Sequence, residues 1–430
     1  MPCHLRKTFL TSLLLALTLP ACAKDTVPHE PSLTAASEAG MSAEVLIQLD
    51  GVMQSYVDNE RLAGAVALVA RKGQVVYLES FGYRDREAGD RLESDDLFRI
   101  ASQTKALVSV GVMMLQEEGR LLISDPVSDY LPAFSNTTVA VPVGDGDYQV
   151  VPAKRPITLR DLLTHTSGIG YGDGLARTQW AEADITGWYF ADRDEPIADT
   201  VNRMPELPFD AQPGERMVYG YSTDILGAVV EKVSGQSLDH FLSTRVLKPL
   251  QMNNTHFYLP ENKRNRLVVV YSLSADQGLS RAPDPGGMVG QGAYVDGPRK
   301  SYSGGAGLLS TANDYGRFLQ MMLNGGELDG VRLLSRKSVE LMTVDHVGEL
   351  APPFLGKGVG FGLGFYVVTD VGARGQPGSV GEYGWGGAYH STYWVDPEEE
   401  LIVVFLSQLI PAPDRTDQGK LRALVYSALH

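Results

Sequence analysis

A chain of 430 residues, 43% hydrophobic and 21% charged, has ample material for a large core, and its length allows one big domain or two intertwined ones. The formal net charge of −15 argues against nucleic acid and against an anionic membrane surface as partners. Repeats, heptads and low-complexity tracts are absent from the sequence, and outside the leader no apolar run is long enough for an integral membrane span.

In chain order, residues 1–23 read as a leader. Arg6 and Lys7 make a basic start, Phe9 to Leu19 an apolar core too short for a span, and Ala21-Cys22-Ala23 a small-residue exit. Two cleavages compete. Ala21-x-Ala23 suits an ordinary signal peptidase, whereas Leu19-Pro20-Ala21-Cys22 resembles a bacterial lipobox in which Cys22 would carry a lipid anchor. Pro20 is uncommon in a lipobox, which favours simple export to the periplasm or medium. Cys3 and Cys22 are the only cysteines, so the mature body has neither a disulfide nor a cysteine metal site. Residues 24–43 read as a polar, Pro-containing tether and residues 44–430 as the folded domain.

Ala43 to Tyr56 carries apolar residues at helical spacing, and Ala65 to Ala70 with Val75 to Ser80 predicts a hairpin about Arg71-Lys72-Gly73. From Ala101 to about Leu250 the recognisable elements are helical: Ala106 to Gly119, Leu159 to Thr164, Thr223 to Ser234 and Leu238 to Val246. Strand patterns return at Gly360 to Val368, His390 to Val395 and Glu400 to Leu406, and Asp417 to Leu429 reads as a helix. This order predicts an α+β fold: an antiparallel sheet built from both chain ends with helices packed on it, plus an inserted all-helical lobe. A site is expected in the cleft between the two.

Ser102-Gln103-Thr104-Lys105 is the only Ser-x-x-Lys in the chain, and an apolar-periodic segment follows it directly. On a helix, positions i and i+3 share a face, which puts an amine within reach of a hydroxyl that is a poor nucleophile until a base takes its proton. The plainer reading is a helix N-cap serine followed by a surface lysine.

Four segments taken together resemble the serine β-lactamase and penicillin-recognising superfamily, in its class C-like branch with D-alanyl-D-alanine carboxypeptidases and family VIII carboxylesterases. They are Phe98 to Lys105, Leu162-Leu163-Thr164-His165-Thr166-Ser167-Gly168, Tyr219-Gly220-Tyr221-Ser222-Thr223-Asp224-Ile225-Leu226-Gly227 and Trp385-Gly386-Gly387-Ala388. They occur in family order across roughly residues 45 to 430. The family's Tyr-x-Asn motif is missing. Counting back from Leu226-Gly227, the resemblance gives Tyr219 the role of proton carrier beside Lys105 and puts Tyr221, the competing tyrosine, in the Asn position against the substrate. Where many relatives carry Lys-Thr-Gly or His-x-Gly on the strand edging the cleft, Trp385-Gly386-Gly387 keeps the close backbone approach and loses the cation, as in family VIII esterases. The amides of Ser102 and Ala388 would form the oxyanion hole.

His165 reads as a hydrogen-bonded, structural turn histidine. His390 and Arg299 are reserve candidates for a carboxylate contact. There is no Gly-x-Ser-x-Gly elbow, no His-Glu-x-x-His pair, no Gly-x-x-x-x-Gly-Lys loop and no dinucleotide fingerprint, so no metal or other cofactor is implied. The resemblance implies an exported serine hydrolase that cleaves small esters through an acyl-enzyme on Ser102. β-Lactams or D-amino-acid peptides are the alternative substrates, and a catalytically silent cell-wall peptide or β-lactam sensor is the alternative of another class.

Overall fold

The computed structural model describes residues 1–2, 33–144 and 146–430, so the leader, Cys3 and the lipid-anchor reading at Cys22 lie outside the described residues. The chain divides into residues 1–30 and residues 31–430, and the architecture that follows is that of the second unit. Inside the stretch expected to be a tether, Leu33–Glu38 forms a helix (α1) whose Ala36 is fully buried, with Ala39 just beyond it equally so. The folded body therefore begins before residue 44, because small side chains let this segment sit against the sheet. Helix α2 (Ala43–Asp58) starts at Ser42, whose Oγ accepts from the Val45 amide at 3.4 Å, and it buries Leu46, Leu49 and Met53 at helical spacing.

The main sheet takes strands from both ends of the chain. Strands β1 (Gly64–Arg71), β2 (Gln74–Asp85) and β3 (Asp90–Arg91) come from the first quarter. Strands β4 (Val359–Phe361), β5 (Tyr366–Val368), β6 (Tyr383–Gly387), β7 (Ser391–Asp396) and β8 (Leu401–Ser407) come from the last. Their spatial order is β4-β5-β6-β7-β8-β1-β2-β3, antiparallel throughout, with Ala65 of β1 opposite Ser407 of β8 and Arg71 opposite Leu401. The α+β architecture expected from the element order is the one observed.

Between β3 and β4 run α3 (Thr104–Glu117), α4 (Ser222–Ser234) and α5 (Ala312–Leu323), and α6 (Thr416–Ser427) follows β8. Every residue of β1 and β8 is buried. Val66, Leu68, Ile402, Val404 and Leu406 face one core with residues of α3 and α5, while Ala65, Ala67, Val69, Val403 and Phe405 face a second core with α1, α2 and α6. Strands covered on both faces read as continuous apolar runs, which is why the alternation expected of a half-exposed sheet is missing here. Helix α3 is buried from Thr104 to Leu115, as a helix apolar on all sides must be.

Two expectations need correction. The single strand expected over Gly360 to Val368 is two, β4 and β5, because the intervening Leu363 and Phe365 turn inward and are fully buried. The inserted lobe is not all-helical. It holds an antiparallel hairpin, Thr138–Gly144 with Asp147–Pro152, and beyond the lobe a second one, Tyr271–Ser274 with Gly278–Arg281, packs on the core of α1, α2 and α6. The first hairpin is exposed over much of its length, so apolar alternation is weak, and the Gly144-Asp145-Gly146 turn signal is all the sequence offers.

Candidate active site

Ser102 lies in a 3-10 turn, Ala101–Gln103, that feeds directly into α3. Ala101 has φ +41°, a conformation that costs a residue with a side chain about 1 to 3 kcal/mol and persists only when its surroundings enforce it. Here they do. The Ile100 amide donates to the Leu308 carbonyl at 3.1 Å, Tyr315 Oη donates to the Gln103 carbonyl at 2.9 Å, and the Leu308 amide donates to Thr104 Oγ1 at 3.1 Å. A Cβ on Gly387 would stand 2.5 Å from the Ile100 carbonyl oxygen, so glycine is what lets β6 close onto this turn.

Lys105 is 2% exposed, which excludes the surface-lysine reading. Its Nζ donates to the Gly305 carbonyl at 2.8 Å, to Tyr171 Oη at 3.1 Å and to Ser102 Oγ at 3.3 Å, using the three donors an ammonium has. Behind it Asp224, buried, accepts from Ser303 Oγ at 2.6 Å and from the Gly305 amide at 3.0 Å. Burial raises the Asp224 pKa, and the Ser303 bond and the Lys105 charge work against that rise without cancelling it. One residue thus carries both contacts: the amide of Gly305 is fixed by Asp224 and its carbonyl fixes Lys105. A Cβ there would meet Asp224 Oδ2 at 2.4 Å.

The two candidate tyrosines occupy different places. Tyr219 is half-buried and lines the cleft, its Oη accepts from Trp385 Nε1 at 2.9 Å, and Lys105 Nζ stands 4.7 Å from its ring centre. Tyr221 is fully buried, stacks on Trp180 at 5.8 Å and donates to the Tyr171 carbonyl at 3.3 Å. The expectation that Tyr221 contacts substrate is therefore corrected: directly ahead of α4 its side chain turns into the core and supports Tyr171 from behind. Tyr171 went unnoticed in the sequence because it belongs to no motif, only following His165-Thr166-Ser167-Gly168. Burial of its hydroxyl pushes its pKa well above the ordinary range, so it holds Lys105 as a neutral phenol.

His165 packs on Tyr219 with ring centres 4.5 Å apart, at φ +56°, and its Nδ1 has no hydrogen-bond partner among the described residues. Burial first and the Lys105 charge second hold its pKa well below the usual histidine range. It is a neutral spacer placed in a turn as expected, but without the expected ring hydrogen bond at Nδ1.

A cleft of about 660 Å³ opens onto these groups, lined by Ser102, Tyr171, Tyr219 and the run Trp385 to Ala388. The structure thus brings Ser102, Lys105, Tyr219, Trp385, Gly386, Gly387 and Ala388 together. It does not bring the reserve cations. His390 is buried against Asp417, Nε2 to Oδ2 2.7 Å, and Arg299 donates to the carbonyls of Leu259 and Val295 away from the cleft. Lys357, Arg374 and Arg415 line it instead. Among the described residues no cluster of three or more His, Cys, Asp or Glu could hold a metal ion, and no helix is long and apolar enough to cross a membrane.

The sequence pattern of the family described as Beta-lactamase matches residues 49–427. Protein Rv1367c of Mycobacterium tuberculosis is 34% identical over 392 residues, covering 85% of this chain and 91% of the relative. Esterase EstB of Burkholderia gladioli is 31% identical over 385 residues, with 85% and 91% covered. Among solved structures, EstCE1, a hydrolase with promiscuous acyltransferase activity, superposes with a TM-score of 0.75 at 26% identity, covering 89% of this chain and 99% of that one.

Proposed function

The chain belongs to the β-lactamase family, and from that premise we propose that it is a serine hydrolase cleaving small acyl esters through a covalent intermediate on Ser102. The observation that carries this reading is the contact of Lys105 Nζ with Ser102 Oγ, 3.3 Å, at the wall of an open cleft. In the proposed cycle Lys105, in its neutral form, takes the Ser102 proton as Oγ attacks the ester carbonyl. The oxyanion rests on the amides of Ser102 and Ala388. Tyr219, whose oxygen already accepts from Trp385 and whose own proton is uncommitted among the described residues, gives that proton to the departing alkoxide. Lys105 returns a proton to Tyr219. Water then attacks the acyl-serine with Lys105, neutral again, as base, either directly or with Tyr219 passing its own proton to Lys105 as it takes the water's, and that proton goes on to Ser102 Oγ as the acid leaves. The leader composition makes the site of action outside the cytoplasm in this reading.

Trp385 favours esters over β-lactams. A β-lactam carries a carboxylate close to its scissile bond, and desolvating it beside an indole, with no cation at that position, is unfavourable. The similarity to EstB, an esterase by name, points the same way. The test is turnover by the intact protein: kcat/KM for p-nitrophenyl butyrate should exceed that for benzylpenicillin by at least about a hundredfold, or roughly 2.7 kcal/mol. Efficient penicillin hydrolysis with negligible ester cleavage would overturn the esterase reading.

A further inference from the structure

The cleft continues past Trp385, and the sheet register shows how. Strand β5 pairs with β6 only at Tyr366–Gly384 and Val367–Tyr383, whereas β7 pairs with β6 along its whole length. From Trp385 to Gly387, β6 therefore presents an open edge. Directly paired antiparallel residues point to the same face. Trp385 thus shares the face of Tyr393, which belongs to the core of α3 and α5, and Gly386 shares the face of Thr392 and Trp394, on the side of α6. The lining follows the open edge round, from Ser102, Tyr219 and Trp385 to Tyr366, Arg374, Gln376, Thr392 and Arg415. Glycine at 386 leaves this second lobe free of a side chain at the crossing.

Its charge is opposite to that of the protein. The chain has 37 basic and 52 acidic residues, yet the cleft lining includes Lys357, Arg374 and Arg415 and not one Asp or Glu. Arg374 is held in place, its Nη1 donating to Glu382 Oε1 at 2.8 Å and its Cζ 5.3 Å from the Tyr366 ring centre. Glu382 is shared with other donors. The same buried carboxylate takes bonds from Arg422 at 2.7 and 2.8 Å, from Tyr366 Oη at 2.8 Å and from Tyr426 Oη at 2.9 Å. The Tyr426 hydroxyl also meets the buried carboxylate of Asp396 at 2.8 Å, so Arg374 belongs to a network of two carboxylates and two guanidinium groups, and the uncompensated charge of the lining rests with Lys357 and Arg415. Lys357 and Arg415 are exposed and form no ion pair among the described residues.

We propose that this second lobe binds a carboxylate at the far end of the ester substrate, so that the preferred substrates are long-chain esters bearing a remote acid group, such as half-esters of dicarboxylic acids. This inference rests on the esterase reading and sharpens it. A guanidinium presents a planar pair of donors that matches a carboxylate, and the Gln376 amide adds a neutral donor to offset desolvation. The acidic remainder of the surface is screened beyond about 8 to 10 Å at ordinary ionic strength, so the local cations decide. A carboxylate next to the scissile bond, as in a penicillin, would sit at Trp385 and miss them.

The experiment compares mono-p-nitrophenyl adipate and suberate with the neutral hexanoate and octanoate on the intact enzyme. The expected preference for the charged ester is at least about tenfold in kcat/KM, shrinking as salt rises from about 20 mM to about 500 mM. Combining Arg415→Gln with Lys357→Gln should bring the ratio of charged to neutral ester down by most of that factor. Arg374 is left intact there because it is tied into the buried Glu382 network, so its loss would disturb more than the cleft. Cleavage of the neutral esters without any preference for the charged ones overturns the subsite and leaves the esterase reading standing. A preference that survives the double substitution overturns the assignment to these side chains. Failure to cleave any of the four esters overturns the esterase reading itself, and the subsite with it.

Discussion

The two ends of the cleft are built in opposite ways. At the Ser102 end, Lys105, Asp224, His165 and Tyr221 are all buried, and Lys105 has every donor engaged. Past β6, Lys357 and Arg415 stand in solvent, and of the cations there only Arg374 is anchored. Proton transfer and oxyanion stabilisation need fixed groups in a dry setting, where dipoles act at full strength without reorganising. Holding a remote charge needs only a field and a few donors. Substitutions at the deep end should therefore abolish the reaction, and substitutions at the open end should change which ester is chosen.

The largest effect tests the deep end alone. Lys105→Ala removes the proposed base and leaves three acceptors facing a void, so kcat/KM for p-nitrophenyl butyrate should fall by at least about a thousandfold, the scale on which members of one catalytic unit act. Retention of activity within about tenfold would move the chemistry elsewhere. A smaller step separates the two phenols. Tyr219→Phe keeps its packing on His165 and Trp385 but deletes the oxygen, and should lower kcat by about a hundredfold or more with a changed pH profile. Tyr171→Phe loosens Lys105 while leaving the proposed proton path intact, and should cost about tenfold or less. The reverse ranking would give proton transfer to Tyr171.

The smallest effect on the rate, and the largest on stability, belongs to Glu382 at the open end. Burial works to raise its pKa, but the Arg422 and Arg374 contacts outweigh that and hold it below the ordinary carboxylate value. A carboxyl depressed in the native state stabilises fully above its unfolded pKa, and that contribution is lost as pH falls through the native value. Glu382→Gln should cost about 3 to 5 kcal/mol near neutrality, and the gap in melting temperature from the parent should narrow steadily in acid below about pH 4.5. A gap that stays constant or widens on acidification would show that the triad is not held by the ionised form.

Much of this was legible in the sequence, and the rest was hidden for physical reasons. The sheet could be read from both ends because β1 and β8 are unbroken apolar runs, and Ser102, Lys105 and Trp385 to Ala388 because short fixed segments carry them. Tyr171, Asp224 and Arg374 could not be singled out, since each acquires its role through a tertiary neighbour: Lys105, the Gly305 peptide and Glu382. Tyr219 and Tyr221 are two residues apart at the start of α4, and the motif does not say which ring turns inward. Arg299 and His390 lie near recognisable elements but face away. Lys357 and Arg415 sit in segments without periodicity, so only the folded cleft reveals them.

The most direct measurement of the central claim is intact mass after exposure to a fluorophosphonate, followed by peptide mapping. The account predicts one adduct, on Ser102, absent from the Ser102→Ala protein, with ester turnover lost in step. An adduct on any other residue, or labelling and turnover that persist in Ser102→Ala, would contradict it.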